Sequence, residues 1–296
     1  MRDHLHQTLV PPLIARVLAD EQHYGDGAPI WVGAPTSSGA KKTRKRHIKR
    51  LRRFTAEFPE TEQLANILAR CKKRRRCMSG ACPECGRAFQ RWFVAQVTDL
   101  ARNESSLDLI AVSIAFANHR TAEDQLPALD TTGMKRSLSE TIKKADGLTW
   151  MVGGIDISLN DDTQKNGDIA WQPQFYGFAD VTSREDLSKV LRDAYGPTKI
   201  APRPVQIKEC DGSTTAISYA FKTDFVRRIA YRTIVGPLEK RRKCWHTRKV
   251  SLRPAEHVRA MLWLHQVGLG GRLVLRGVRM TRNGDSVGLV RIKKLE

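Results

Sequence analysis

The chain has no long apolar segment and fewer acidic than basic residues; the first lack excludes a membrane-spanning helix, and the second favours one class of partner. No apolar run approaches the roughly 20 residues that a membrane-spanning helix needs. The first apolar stretch contains Pro11 and Pro12 and does not resemble a secretory signal, so we expect a cytoplasmic protein with no membrane partner. Lys and Arg number 51 against 31 Asp and Glu, a formal net charge of +20. This excess favours an anionic polymer as the partner.

Four scattered histidines give no sign of a catalytic centre. His47, His246, His257 and His265 show neither H-x-H nor H-E-x-x-H spacing, so we assign them no catalytic role. The sequence contains no internal repeat. Its 296 residues suffice for one large domain or two smaller ones, and its apolar content of 41% is enough for a substantial core.

Four of the six cysteines fall within fifteen residues: Cys71, Cys77, Cys82 and Cys85. The C-x-x-C pair, Cys82 and Cys85, can turn both sulfurs towards one metal ion, and the other two can complete a tetrahedral site. The basic residues at 72–76 favour deprotonated thiolates. A redox C-x-x-C is disfavoured because no clear strand precedes it, and two disulfides would need an oxidising compartment. The spacing therefore predicts structural Zn²⁺ and leaves Cys210 and Cys244 as isolated thiols.

A strongly basic segment precedes the cysteines. Nine of the thirteen positions from 41 to 53 are basic. Such a run forms a solvated or helical arm that can neutralise phosphates, with binding that weakens as salt is added. We predict nucleic-acid contacts from all nine side chains: Lys41, Lys42, Arg44, Lys45, Arg46, Lys49, Arg50, Arg52 and Arg53.

The middle of the chain alternates strands and helices in an order that predicts the fold class. Aliphatic runs indicate strands, and an amphipathic run behind an N-cap such as Ser183 indicates a helix. Pro173 is expected to interrupt the third strand. The resulting β-α-β-β-α-β order predicts an α+β fold, a split βαβ, ferredoxin-like antiparallel sheet that is open on one face. Its elements are strand 107–116, helix 134–145, strands 150–158 and 168–180, helix 183–195 and strand 204–209.

The C-terminal residues predict a helix followed by a hairpin. An amphipathic helix at 254–267 precedes strands at 273–280 and 286–292, which flank an Arg-Asn-Gly-Asp turn beginning at Arg282. The chain then divides into four predicted regions. They are a basic N-terminal arm with helices at 1–69, a zinc-binding module at 70–100, a sheet domain at 101–235 and a basic C-terminal extension at 236–296.

Three motifs, taken in order, resemble a known family. The cysteine cluster ends in Cys82-Pro-Glu-Cys85, the third strand contains Trp171-Gln-Pro-Gln-Phe-Tyr-Gly177, and Tyr219-Ala-Phe-Lys222 follows downstream. Together they resemble the rolling-circle replication initiators of plasmids and phages, of the HUH endonuclease superfamily. The resemblance spans residues 70–225 and includes the apolar strand at 111–116 as the first family motif. It implies an HUH-type sheet with DNA as the partner.

The resemblance also assigns roles to residues of this chain. Tyr219 matches the nucleophile that nicks single-stranded DNA, and Lys222, one helical turn later, matches the residue that positions the phosphate. The family holds a divalent metal, such as Mg²⁺ or Mn²⁺, through histidines of a W-H-P-H-x-H-G motif. All three of those histidines are replaced here, by glutamine or tyrosine, and a neighbouring strand offers a carboxylate. The metal positions implied in this sequence are Gln174, Tyr176 and Asp156.

The replaced histidines leave three interpretations. The retained Y-x-x-K favours a replication-initiator-like protein, a tyrosine-dependent endonuclease acting on single-stranded DNA or an origin hairpin. The missing histidines favour a non-catalytic, zinc-containing DNA-binding or regulatory protein, in which Trp171 offers a base-stacking surface on the sheet. The third interpretation is an RNA- or ribosome-associated basic protein. Bulk charge serves all three, so competition between DNA and RNA separates the last from the first two.

Overall fold

A computed structural model describes residues 13–18, 31–73, 75–103, 108–165, 167–222, 224–235, 242–284 and 286–292. Within these ranges the protein is α+β, as predicted, and residues 13–18 are helical. The further helices are α1 Ser37–Arg53, α2 Glu60–Arg70, α3 Pro83–Asn103, α4 Thr131–Ile142, α5 Arg184–Ala194, α6 Thr214–Ser218 and α7 Pro254–Gly271. The strands are β1 Asp108–Ala115, β2 Thr121–Ala122, β3 Leu148–Asp161, β4 Ile169–Val181, β5 Val205–Glu209, β6 Val226–Val235, β7 Arg242–Ser251, β8 Leu273–Arg276, β9 Val278–Asn283 and β10 Ser286–Arg291.

One curled, mostly antiparallel sheet forms the body of the described chain. Its order is β5-β1-β4-β3-β6-β7, with β2 beside β4 and β8 beside β3. The long strands β3 and β4 form a hairpin, in which Asp156 lies opposite Gln174 and Gly154 lies opposite Tyr176. Helix α4 links β1 to β3, and α5 links β4 to β5, so each of these helices connects two strands that are separated by a third.

The two faces of this sheet differ in burial. Along β1, Ile110, Val112 and Ile114 are buried, whereas the residues between them are partly exposed. Because strand side chains alternate between faces, one face of β1 belongs to the core and the other meets water, whereas β3 is buried on both faces. We call the face of the sheet that meets water at β1 the open face. Across β5, β1 and β4 it carries Gln206, Lys208, Ser113, Gln174 and Tyr176.

Strand β4 runs through Pro173 without a break. The Pro173 carbonyl accepts a hydrogen bond from the Phe116 amide at 3.0 Å, just beyond the end of β1. In a strand, the N–H and C=O of one residue point to the same side. The N–H that proline lacks would therefore point towards β1, which ends at Ala115. No ladder bond is lost, and the predicted interruption is absent.

The C-terminal residues belong partly to the main sheet. Strand β8 pairs with residues 151–154 of β3, and β7 pairs with β6 along its whole length. Gly277 has a φ of 69°, a left-handed conformation that ends β8 and starts the β9–β10 hairpin. The predicted strand at 273–280 is therefore two strands, of which only the second belongs to the hairpin. The beginnings of two predicted regions, residues 1–12 and 236–241, lie outside the described residues.

Helix α3 lies at the centre of the molecule. Nearly every residue from Pro83 to Leu100 is buried. Its polar side chains bind neighbouring backbone: Gln90 donates to the Ser218 carbonyl at 2.8 Å, and Trp92 donates to the Val287 carbonyl at 2.7 Å. These bonds connect the cysteine segment, the α6 segment and the C-terminal hairpin through one helix.

Two helices that the sequence interpretation considered begin at side-chain caps. Ser183 caps α5 by accepting a bond from the Asp186 amide at 3.1 Å, as expected. The basic arm forms α1, with Thr36 as its N-cap. Among the described residues, no helix is both long and apolar enough to cross a bilayer.

Candidate functional site: a tyrosine–lysine–aspartate cluster and a four-cysteine centre

The Y-x-x-K segment forms a tight turn after α6. Ser213 caps that helix, which ends at Ser218, and residues 219–221 form a single 3₁₀ turn. Residues three apart in a 3₁₀ turn lie above one another, so Lys222 returns to Tyr219. The Lys222 ammonium donates to the Tyr219 hydroxyl at 3.4 Å and lies 4.6 Å from the centre of its ring. The predicted pair therefore meets, although by way of this turn and not of a continuous α-helix.

Two cations share the carboxylate of Asp156. This side chain, on β3, is only 1% exposed. Lys222 forms an ion pair with its Oδ2 atom, and Arg272, which follows α7, lies 3.5 Å from its Oδ1 atom. Burial lowers the pKa of Arg272, an effect that the Asp156 charge opposes.

Strand register brings the two remaining predicted residues to the same place. Gln174 lies opposite Asp156, and Tyr176 lies opposite Gly154, so all project from the open face of the sheet. The rings of Tyr176 and Tyr219 meet edge to face, with centroids 4.9 Å apart. Burial raises the pKa of the Tyr176 hydroxyl, and the neighbouring Cys210 and Tyr219 add to the effect.

Gly154 allows the turn to approach this closely. A methyl group at position 154 would lie 2.7 Å from the Ala220 carbonyl oxygen and 3.0 Å from the Phe221 ring. Phe221 in turn packs edge to face against Phe89 and Phe93 of α3, with centroids 4.9 and 4.7 Å away. The turn is thus fixed between the sheet and the central helix.

This arrangement can present a phenol to an anionic substrate. Tyr219 is 37% exposed, and a cationic group adjoins its hydroxyl. A neighbouring ammonium stabilises negative charge that develops on the phenol or on a bound phosphate. Gln174 and Asp156 could offer oxygens to a hard metal ion, but Lys222 and Arg272 already engage the carboxylate. We call Asp156, Gln174, Tyr176, Tyr219 and Lys222 the tyrosine cluster.

The base-stacking role predicted for Trp171 is wrong. Its side chain is completely buried, and its indole N–H donates to the Glu123 carbonyl at 2.9 Å. Trp171 and Gln174 are three residues apart in one strand, so they project from opposite faces. An aromatic ring on the core side cannot reach a nucleic acid on the open face.

The basic residues of α1 are mostly available to solvent. Arg44 is the clearest exception: it lies 3.6 Å from Glu84 and donates to the carbonyls of Leu68 and Cys71. Arg44 therefore holds the cysteine segment instead of projecting outwards, and Arg50 is half-buried. The exposed members of the predicted set are Lys41, Lys42, Lys45, Arg46, Lys49, Arg52 and Arg53.

The four predicted cysteines form one cluster. The Sγ atoms of Cys71, Cys77, Cys82 and Cys85 all lie within 4.8 Å of one another. The separations Cys71–Cys85, Cys77–Cys85 and Cys71–Cys82 are each 3.7 Å. Zinc with four Zn–S bonds of about 2.3 Å would hold its sulfurs about 3.8 Å apart. The spacing is far too long for disulfides, so the cluster can hold a zinc ion.

The chemistry of the cluster also fits a cation. Hydrogen bonds from the other three thiols lower the pKa of Cys71, whereas its neighbours raise the pKa of Cys85. Four thiolates this close repel one another, so a positive ion is needed before all four can ionise. Cys85 lies in the first turn of α3, and Arg76 binds Glu84 at 3.0 Å across the loop. Of the basic residues at 72–76, Arg74 lies outside the described residues.

Two groups of residues were missed by the sequence interpretation. Arg272 has no distinguishing pattern in the sequence, and only the fold brings it to Asp156. Strands β6 and β7 were not predicted at all, because the segment Arg242-Lys-Cys-Trp-His-Thr-Arg-Lys249 shows no regular alternation of apolar and polar residues. The β-branched and aromatic residues of Val226–Val235 were the available signal.

Comparisons with known proteins leave the function to be argued from this geometry. The chain matches no protein-family model, no curated protein and no solved structure.

Proposed function

We propose that this protein is a DNA-binding, replication-initiator-like protein that nicks single-stranded DNA through Tyr219. One observation carries the proposal: the Tyr219 hydroxyl lies 3.4 Å from the Lys222 ammonium, at the open face of the sheet. Three segments that are distant in the sequence meet there, β3 with Asp156, β4 with Gln174, and the turn at 219–222. These are the segments that the resemblance to HUH initiators assigns to the reaction.

The topology supports the same proposal. Helix α4 joins β1 to β3 across β4, and α5 joins β4 to β5 across β1. Two such crossings in one antiparallel sheet are a feature of split βαβ sheets, and they support the HUH-type arrangement that we infer from the resemblance. The cysteine centre, the exposed cations of α1 and the net charge of +20 support an anionic polymer as the partner.

The proposed reaction is an in-line displacement at phosphorus. The Tyr219 oxygen attacks the scissile phosphate and releases its proton to solvent, which forms a 5′-phosphotyrosyl bond. The bond to the 3′-oxygen breaks, and that oxygen leaves as a 3′-hydroxyl after taking up a proton. Lys222 stabilises the added negative charge on the phosphate. Mg²⁺ or Mn²⁺ bound near Gln174 would assist, and Tyr176 lines the same site.

A covalent-adduct assay tests this function. The protein is mixed with Mn²⁺ or Mg²⁺ and single-stranded circular DNA from its own replicon, then run on a denaturing gel. We expect a protein–DNA band that Tyr219→Phe abolishes and that Tyr176→Phe retains. The Tyr219 side chain is exposed, so its substitution leaves folding intact. A band that survives Tyr219→Phe would refute Tyr219 as the nucleophile, and repetition with a chelator reports whether a metal is required.

A second function is favoured by the state of Asp156. Both of its oxygens are engaged by cations, and Gln174 and Tyr176 stand where the family has histidines. Such a site fits a non-catalytic, zinc-containing DNA-binding or regulatory protein derived from an initiator. The same assay separates the two functions, because this one gives tight DNA binding without a covalent band on any single-stranded substrate.

A further inference from the structure

Strands β6 and β7 form a two-stranded ribbon, residues 226–235 and 242–251, that leaves the body of the sheet. Only residues 227–229 of the ribbon pair with β3, and β7 is the last strand of the described sheet. Residues 230–235 pair with 242–247 and with no further strand among the described residues. Six residues at about 3.4 Å each extend the ribbon about 20 Å past β3.

The base of the ribbon is fixed to the body by a buried ion network. Arg227 donates to Asp161 of β3, with its Nη2 atom 2.7 Å from Oδ2, and it forms a second ion pair with Glu256 of α7. The side chains of Arg227, Asp161 and Glu256 are at most 10% exposed. A paired, buried network holds a definite geometry, so the ribbon projects in a set direction.

The projecting part combines positive charge with exposed aromatic rings. The two strands contain seven Lys and Arg residues and no Asp or Glu. Register places Arg232 opposite Trp245, and the Arg232 guanidinium lies over that ring, 5.7 Å from its centre. Trp245 is 39% exposed. The same face of the ribbon, which we call the cationic face, carries Arg228, Arg232, Lys243, Trp245 and Lys249.

We propose that the ribbon binds duplex DNA by lying in the major groove with its cationic face towards the phosphates. The major groove of B-form DNA is about 12 Å wide and admits a two-stranded β-ribbon. The major groove of A-form RNA is deep and narrow, and side chains do not enter it. Cations on both strands of the cationic face can reach the phosphates that border the groove. The inference rests on the proposed function only in taking DNA as the partner, since it places duplex contacts on a surface apart from the tyrosine cluster.

Protection of a sheet edge and self-association fit the ribbon less well than DNA binding. Cations often protect an edge strand from pairing with another chain. Edge protection does not account for Tyr231 and Ile234, which are 36% and 61% exposed and would promote association. A second copy of the ribbon is also a poor partner, because each copy carries six Lys and Arg residues besides the buried Arg227 and no Asp or Glu, so the two would repel.

Binding measurements with charge-matched variants test the ribbon. Both variants are made in a Tyr219→Phe background, so that no covalent product forms. The ribbon variant is Arg232→Gln, Lys243→Gln and Lys249→Gln. The control variant is Lys144→Gln, Lys189→Gln and Arg192→Gln, exposed residues at the end of α4 and on α5. Fluorescence anisotropy is recorded against salt with a short duplex DNA, a duplex RNA of the same length, single-stranded DNA and phosphatidylserine vesicles.

The ribbon variant is expected to bind duplex DNA at least about tenfold more weakly at moderate salt, with a salt slope reduced by about 3. The control variant is expected to bind almost as the parent does.

Duplex DNA should also protect Lys243 and Lys249, but not Lys144 and Lys189, from chemical acetylation. Equal losses in both variants would overturn the proposal, because bulk charge would then explain binding. It would equally be overturned if the ribbon variant weakened binding only to RNA, single strands or vesicles. These results are independent of the adduct assay, so the absence of nicking leaves the ribbon proposal standing.

Discussion

The Asp156 side chain is almost completely buried, and the cations beside it compensate the charge of its carboxylate. Lys222 forms the closer ion pair, and Arg272 lies 3.5 Å from the second carboxylate oxygen. Removing one partner of a buried pair leaves a charge without compensation, which costs more than the pair itself contributes. The Lys222 side chain is 18% exposed, so water screens part of this interaction.

Substitution of Lys222 by Met is therefore expected to lower the free energy of unfolding by about 2 kcal/mol. Adding Asp156→Asn should not restore that loss, since Asp156 still compensates Arg272 in the single variant and its removal leaves this buried guanidinium without its carboxylate partner. Urea unfolding of the single and double variants measures the coupling. Arg184→Gln serves as a control: it breaks an exposed pair with Glu209 at 3.3 Å and should cost less than about 1 kcal/mol. Equal effects of Lys222→Met and Arg184→Gln would contradict a buried role for Lys222.

Gly154 gives a second prediction at the same scale. Gly154→Ala introduces a methyl group that overlaps the turn at 219–221, whose Ala220 carbonyl is 2.7 Å away. We expect a loss of about 1–3 kcal/mol in stability, from overpacking, and a weaker adduct band because Tyr219 is displaced. Gly196→Ala is the matched control, since the nearest atom to its new methyl group is 3.8 Å away. Adduct formation that Gly154→Ala leaves unchanged would show that the turn need not rest on the sheet.

The residues of the tyrosine cluster could be predicted from two features of the sequence: the order of the motifs and the alternation of side chains along a strand. Gln174 and Tyr176 are two apart in a strand, so a shared face follows from the period. The same period contradicts a stacking role for Trp171, because an odd spacing from Gln174 places it on the opposite face. Arg272 could not be predicted, because its approach to Asp156 depends on how α7 returns to β3.

The cysteine centre acts at the scale of whole elements. Cys71 follows α2, Cys85 lies in the first turn of α3, and Arg44 of α1 donates to the Cys71 carbonyl. A metal ion bound by the four sulfurs would connect these three helices, and α3 passes through the core. Metal binding is then coupled to the folding of the N-terminal half.

Purified protein is accordingly expected to contain one equivalent of zinc. In Cys82→Ser/Cys85→Ser the zinc should be lost, and the free energy of unfolding should fall by on the order of 5 kcal/mol. Cys210→Ser, at an isolated and half-buried thiol, should retain both the metal and the stability. Elemental analysis and thermal unfolding provide the measurements. A double variant that folds as stably as the parent, without metal, would refute a structural zinc site.

Elements with strong local signals were predicted, and those with mixed signals were not. Helix α5 has a capping serine and a regular apolar stripe, and β1 has alternating aliphatic residues. By contrast, Tyr219 lies beyond the end of α6, because a 3₁₀ turn replaces the α-helical turn expected between Tyr219 and Lys222. Strands β6 and β7 escaped prediction because basic residues occupy both faces of an exposed ribbon, so the usual apolar alternation is weak.

The described part of the molecule has one extensive core, whereas its cations are grouped on several separate elements. Buried residues from α1, α3, the sheet, α7 and the C-terminal hairpin form one cluster of side chains, so the predicted regions share a core. The cations instead lie in distinct places: the exposed side of α1, the ribbon and the tyrosine cluster. A nucleic acid that contacted all three would meet positive charge on separate elements, which is how a protein can engage both duplex and single-stranded parts of one substrate.

Salt dependence distinguishes the contributions of these surfaces. Lys41→Gln, Lys42→Gln and Lys45→Gln remove three exposed charges from α1. If each contacts a phosphate of single-stranded DNA, the salt slope should fall by about 2, since a single strand contributes about 0.7 for each contact. The ribbon variant should affect duplex binding more strongly than single-strand binding, and the α1 variant the reverse. Single-strand binding that the α1 variant leaves unchanged, measured by anisotropy beside the Lys144→Gln, Lys189→Gln and Arg192→Gln control, would exclude α1 from the interface. Electrostatic contacts on well-separated surfaces add. On a DNA with both a duplex and a single-stranded part, a variant that combines the two triple substitutions should therefore show the sum of the two changes in salt slope.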